Sequence, residues 1–161
     1  GQHRAAEGLD LQALARGGRV GRLARYDWLH VATHAYVDPA TGAFTGLLLG
    51  DGVLDLQDIR RWRLAARLVT LSACQTGLGR WHYGDEIAGL TQAFLQAGAQ
   101  SVVATLWLVR DEHTAALMGD FYRRLSDGLA PVTALAEAQR AAQRAGVAPY
   151  YWAPFSAFGR P

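Results

Sequence analysis

The stretch LVTLSACQTGLGRW, residues 68–81, decides how this chain is read. Up to Ala73 it is short, apolar and partly β-branched, which predicts a buried strand. Beyond Gln75 the glycines at 77 and 79 mark a loop. Cys74, the only cysteine in 161 residues, stands at the joint. In open parallel sheets, ligands and chemistry gather outside the carboxyl ends of the strands, so a lone thiol there invites a functional reading. A bland reading stands beside it, because a buried cysteine also serves as a small core residue.

Working outward, Tyr26–Thr33 (YDWLHVAT) predicts a second buried strand and Gln100–Trp107 (QSVVATLW) a third. Residues 47–64 (LLLGDGVLDLQDIRRWRL) predict a short strand, an Asp51-Gly52 turn and a short helix from Leu56 to Trp62. Ile87, Leu90, Thr91, Phe94 and Leu95 recur at helical spacing, with Gly98 where a C-terminal cap belongs. Asp111 is placed to cap a helix whose apolar stripe runs Leu117, Met118, Phe121, Tyr122, Leu125 before Gly128. Pro131 suits the first turn of an alanine-rich helix reaching Ala145, and YWAPFSAFG predicts a last strand. Strands alternate with helices, so the class is α/β: three layers, a mainly parallel sheet flanked by helices. Residues 9–15 read as a short helix before the first strong strand. That strand is expected to be central, with upstream sheet missing: 1–25 an N-terminal remnant, 26–161 the domain proper.

Composition narrows the functions. Half of the residues are hydrophobic and 19% charged, enough for a core and against disorder. The net charge of +2 comes from interspersed arginines and acids, so neither nucleic acid nor a membrane surface is an expected partner. No apolar run approaches the roughly 20 residues that cross a bilayer. With one cysteine and no leader pattern, a reducing cytoplasm is the expected setting.

His34 follows HVAT as Cys74 follows LVTLSA, both at predicted strand ends. Should those strands be neighbours, imidazole and thiol meet. A free thiol, pKa about 8.5, is mostly protonated at neutral pH, and a nearby histidine raises its thiolate fraction. Backbone N–H groups after His34 and Cys74 would then face the oxyanion. Ser72 shares a strand face with Cys74 by alternation, and Gln75 adjoins it. His30 and His34 are too far apart for one metal ion, since four strand residues span about 13 Å. Asp85 and Glu86 read as helix-start carboxylates, and TGLG lacks the lysine of a phosphate-binding loop. No metal or organic cofactor is expected.

Several separated motifs occur together: HVATHA, LVTLSACQTGLG, GLTQAFLQAGAQSVVATLWLVRDE, FYRRLSDG, ALAEAQRAAQ and PYYWAPFSAFG. In this order, from Tyr26 to Gly159, they resemble the CHAT domain. That family contains caspase-like cysteine peptidases, is related to separases and caspases, and is commonly fused to tetratricopeptide repeats. The resemblance implies a caspase-like fold, His34 as catalytic histidine, Cys74 as nucleophile and a peptide or protein substrate. Ala35 stands where caspase relatives often have glycine, which keeps an N–H for the oxyanion with less room around it. Asp111 would meet a basic substrate side chain, or simply cap its helix. Trp107 would wall the cleft, or close the sheet end, and Ser72 and Gln75 would line the site. A tetratricopeptide-repeat region is the expected partner. The other reading from the same resemblance is a catalytically silent module that holds a peptide or docks on repeats.

Overall fold

The computed structural model describes residues 5–6, 23–37, 40, 44–49, 52–74, 83–107, 109 and 111–160. The strands are β1 (Ala5–Ala6), β2 (Trp28–Val37), β3 (Phe44–Leu49), β4 (Gly52–Asp55), β5 (Leu68–Cys74), β6 (Ser101–Thr105) and β7 (Phe155–Gly159). The helices are α1 (Leu56–Arg61), α2 (Tyr83–Gln96), α3 (Asp111–Ser126), α4 (Pro131–Arg144) and α5 (Pro149–Trp152).

They build one sheet in the order β4-β3-β2-β5-β6-β7, with β1 also on β2. The centre, β2-β5-β6, is parallel, while β3, β4 and β7 run antiparallel at the edges. The sheet is therefore parallel only in its middle. Parallel strands are buried on both faces and read as continuous apolar runs, and all five residues of β6 are buried.

Alternation along the strands divides the core in two. Val69, Leu71, Val102 and Ala104 face α1 and α2, around Phe94 and Trp62. Leu68 and Val103 face α3 and α4, around Phe121, Leu135 and Phe155. The α/β class with helices on both faces is what the sequence predicts.

Three expectations are corrected. β2 continues to Val37, past the expected end near His34, because β3 pairs with residues His34 to Val37 and keeps them extended. Residues Gly52–Asp55 form a strand of their own, hairpinned on β3 before α1. The closing stretch splits: Pro149, with its preset φ, opens the one-turn helix α5, and only Phe155–Gly159 is strand. The outer edge of β2 is taken by β3 and by Ala5–Ala6 of β1. The short helix expected at 9–15 lies outside the described residues. Among the described residues no helix is long and apolar enough to cross a membrane.

Candidate active site at the carboxyl end of the sheet

β2 and β5 are neighbours, and their parallel ladder runs through seven register pairs, from Trp28 with Leu68 to His34 with Cys74. The two sequence-predicted reactive residues are thus partners on adjacent strands, which lie about 4.8 Å apart. Register partners in a parallel pair occupy the same face of the sheet. Cys74 is the last residue of β5, and His34 is exposed.

Of the other predicted site residues, those described lie on β2 and β5 and after β6. Ser72, two residues before Cys74, is half-buried and pairs in register with Ala32. Ala35 lies inside β2, in register with Leu47, so the residue after His34 belongs to the ladder and not to a loop. Trp107 follows β6 by two residues; its indole N–H donates to the Tyr150 carbonyl at 3.1 Å, and the two rings are 6.3 Å apart. Asp111 is the first residue of α3. Gln75 and TGLG (76–79) lie outside the described residues. Ser72, Trp107 and the backbone of Asp111 all belong to the carboxyl end of β5 and β6 or the segment after it.

One polar cluster was not legible in advance. Tyr122, read only as part of an apolar stripe, reaches from α3 to the sheet. Its hydroxyl donates to Thr70 Oγ1 at 2.9 Å and lies 2.8 Å from His30 Nδ1. His30 and Thr70 are themselves register partners, four residues before His34 and Cys74. A buried tyrosine hydroxyl seeks a partner, which was the signal available. Burial pushes the Tyr122 phenol up to about 12, against a smaller downward pull from the Thr70 hydrogen bond. His30, tilted on the Tyr122 ring at 5.8 Å, is lowered by burial. His30 is thereby a hydrogen-bonding partner of Tyr122.

A groove of about 450 Å³ lies elsewhere, between α3, α4 and α5, floored by Ala138, Ala141 and Ala142 and edged by Arg123, Arg124 and Trp152. None of the strand-end residues lines it. On its rim, burial pushes Asp120 up, but hydrogen bonds from Arg124 and Arg123 outweigh it and hold the carboxyl below its usual range.

Comparison with known proteins agrees with the fold. The family model of the CHAT domain matches residues 7–160. Tetratricopeptide repeat protein 28 of Mus musculus is 37% identical over 109 residues, 66% of this chain. Its counterpart in Homo sapiens is 36% identical over 115 residues, 70% of this chain. The chain spans only 4% of the length of either relative. A family match over nearly the whole chain, on an α/β sheet flanked by helices, places this protein in the CHAT domain family.

Proposed function

We propose that the chain is a caspase-like cysteine endopeptidase domain working through His34 and Cys74. The observation that carries the reading is their register pairing on neighbouring parallel strands. Membership of the CHAT family supports it.

In this reading the Cys74 thiolate attacks the scissile carbonyl carbon, forming a C–S bond and a tetrahedral oxyanion. A backbone N–H at Cys74, where β5 ends, faces that oxygen. The C–N bond then breaks, and the imidazolium of His34 gives its proton to the leaving amine. Water, deprotonated by His34, attacks the thioester and releases the acid and the thiol. Ser72 and Gln75 support the site around the sulfur, and Trp107 bounds the cleft. Asp111 pairs with a basic side chain before the cleaved bond, and opposite charge there favours arginine or lysine over neutral residues. No cofactor takes part, and the thiol calls for a reducing, cytoplasmic setting.

The test is cleavage by the full-length protein that carries this chain. Cys74→Ala and His34→Ala are each expected to abolish it with the melting temperature preserved. Wild-type cleavage by Cys74→Ala removes the reading. Asp111→Asn, which removes the charge but keeps the size of the side chain, is expected to flatten a preference for Arg and Lys without lowering stability.

A second reading draws on the relatives, whose names refer to tetratricopeptide repeats and to no peptidase. In it the domain is a silent module that docks on a repeat region. Reaction with iodoacetamide at mildly acidic pH separates the two: an activated Cys74 is alkylated much faster than free cysteine, and a silent one is not.

A further inference from the structure

Among the described residues, the large apolar side chains that stand exposed are Leu48 (40%), Trp107 (36%) and Tyr150 (54%). They are not scattered. Leu48 is the register partner of His34 across β2 and β3, and His34 is the register partner of Cys74 across β2 and β5. Leu71 of β5 pairs with Ala104 of β6, and three residues further along each chain come Cys74 and Trp107. Tyr150 packs on Trp107. Leu48, His34 and Cys74 thus follow one another across the adjacent strands β3, β2 and β5, and Trp107 lies two residues past the end of the next strand, β6, with an exposed apolar side chain at each end of the row.

Exposed apolar surface gathered around polar residues marks a binding surface, whereas single exposed apolar residues need no explanation. The Trp107 indole is also held in place: its N–H is tied to the Tyr150 carbonyl at 3.1 Å, so its ring is a rigid platform. A rigid aromatic loses little freedom on binding.

We propose that this row is a substrate groove for an extended peptide carrying two apolar side chains four residues apart. One rests on Leu48, the other on the Trp107–Tyr150 pair, and the cleaved bond lies between them. The spacing follows from the sheet. Three strand intervals of about 4.8 Å span roughly 14 Å, and an extended chain covers that in about four residues at 3.3 Å each. Side chains at i and i+4 of such a chain face the same way. The proposal rests on the peptidase reading and adds Leu48 and Tyr150 as specificity-determining residues.

The test measures binding and cleavage separately. Fluorescent peptides are titrated into the full-length protein carrying Cys74→Ala, which cannot form the thioester. They carry leucine or phenylalanine at positions i and i+4, serine at one or both, or the same pair at i and i+3. The i, i+4 apolar peptide is expected to bind about tenfold tighter for each apolar position than its serine counterpart. Leu48→Ser should remove the preference at one end, and Trp107→Ala or Tyr150→Ala the preference at the other. Changing the peptide leaves the fold untouched, so the result does not depend on how the variants fold. Affinities within twofold across the series, or no binding at all, overturn the groove. Preferential binding without cleavage by the unsubstituted protein supports the groove and removes the peptidase reading. Cleavage without apolar preference does the reverse.

Discussion

Tyr122 shows what one hydroxyl can do in a buried place. It bridges the register partners His30 and Thr70, and so joins α3 to the two strands that carry His34 and Cys74. Thr70 is 1% exposed, so losing the phenol leaves its hydroxyl without that partner. A buried polar group deprived of its bond costs about 1–3 kcal/mol. Tyr122→Phe is therefore expected to lower unfolding free energy by about that much, read by chemical denaturation. Tyr122→Phe combined with Thr70→Val, where neither hydroxyl remains, should cost less than the sum of the two single changes. His30 gives the pH dependence. Burial lowers its pKa below the ordinary 6.5, so between the two values the unfolded chain binds more protons than the native one. The stability from a neutral His30 is complete above about pH 6.5 and is lost as pH falls toward the folded value. Denaturation midpoints measured between pH 7.5 and 5 should fall, and His30→Gln should make that fall shallower. An unchanged slope would take His30 out of the account.

At the scale of elements, the ends of α2 and α3 are set by glycine. α2 closes with Gly98 N–H on the Leu95 carbonyl and Ala99 N–H on the Phe94 carbonyl, and α3 closes likewise at Gly128 and Leu129. Both glycines have positive φ, +111° and +93°, as such caps require. Their surroundings differ. A Cβ on Gly98 would collide with the Leu64 backbone carbonyl, while one on Gly128 would meet open space. Gly128→Ala should cost about 1 kcal/mol for the conformation alone. Gly98→Ala should cost clearly more, because backbone must also move. Equal losses in thermal denaturation would refute the difference. Gly98 as a cap was legible from its place after a helical period. So were the cores of β5 and β6, since a strand buried on both faces has to be mainly apolar. The extension of β2 was not legible, because it depends on pairing with β3, a contact between residues far apart in sequence. Nor was the bridging role of Tyr122, since helical periodicity places an aromatic ring on the apolar face without saying where its hydroxyl ends. Of the candidate pair, Cys74 was legible as a strand end, while His34 proved to lie inside β2, and their register became visible only in the assembled sheet.

Across the whole molecule, the sheet separates two cores that share its central strands. Phe94 anchors one and Phe121 the other, both fully buried. Phe→Ala in a core costs about 3–5 kcal/mol. Each change should destabilise the protein by that order while leaving one unfolding transition, since β5 and β6 contribute side chains to both cores. Two separated transitions in calorimetry would show that the layers unfold independently. The parallel centre has a further, electrical consequence. α2 links β5 to β6, which run side by side in the same direction, so it must travel back against them and begins at the carboxyl end of the sheet. α3 follows β6 and begins there as well. Each helix carries about half a positive charge at its start. Both helix starts lie at the end of the sheet that holds His34 and Cys74, and the partial charge of a helix start favours an anion, whether a thiolate or the carboxylate of a released peptide.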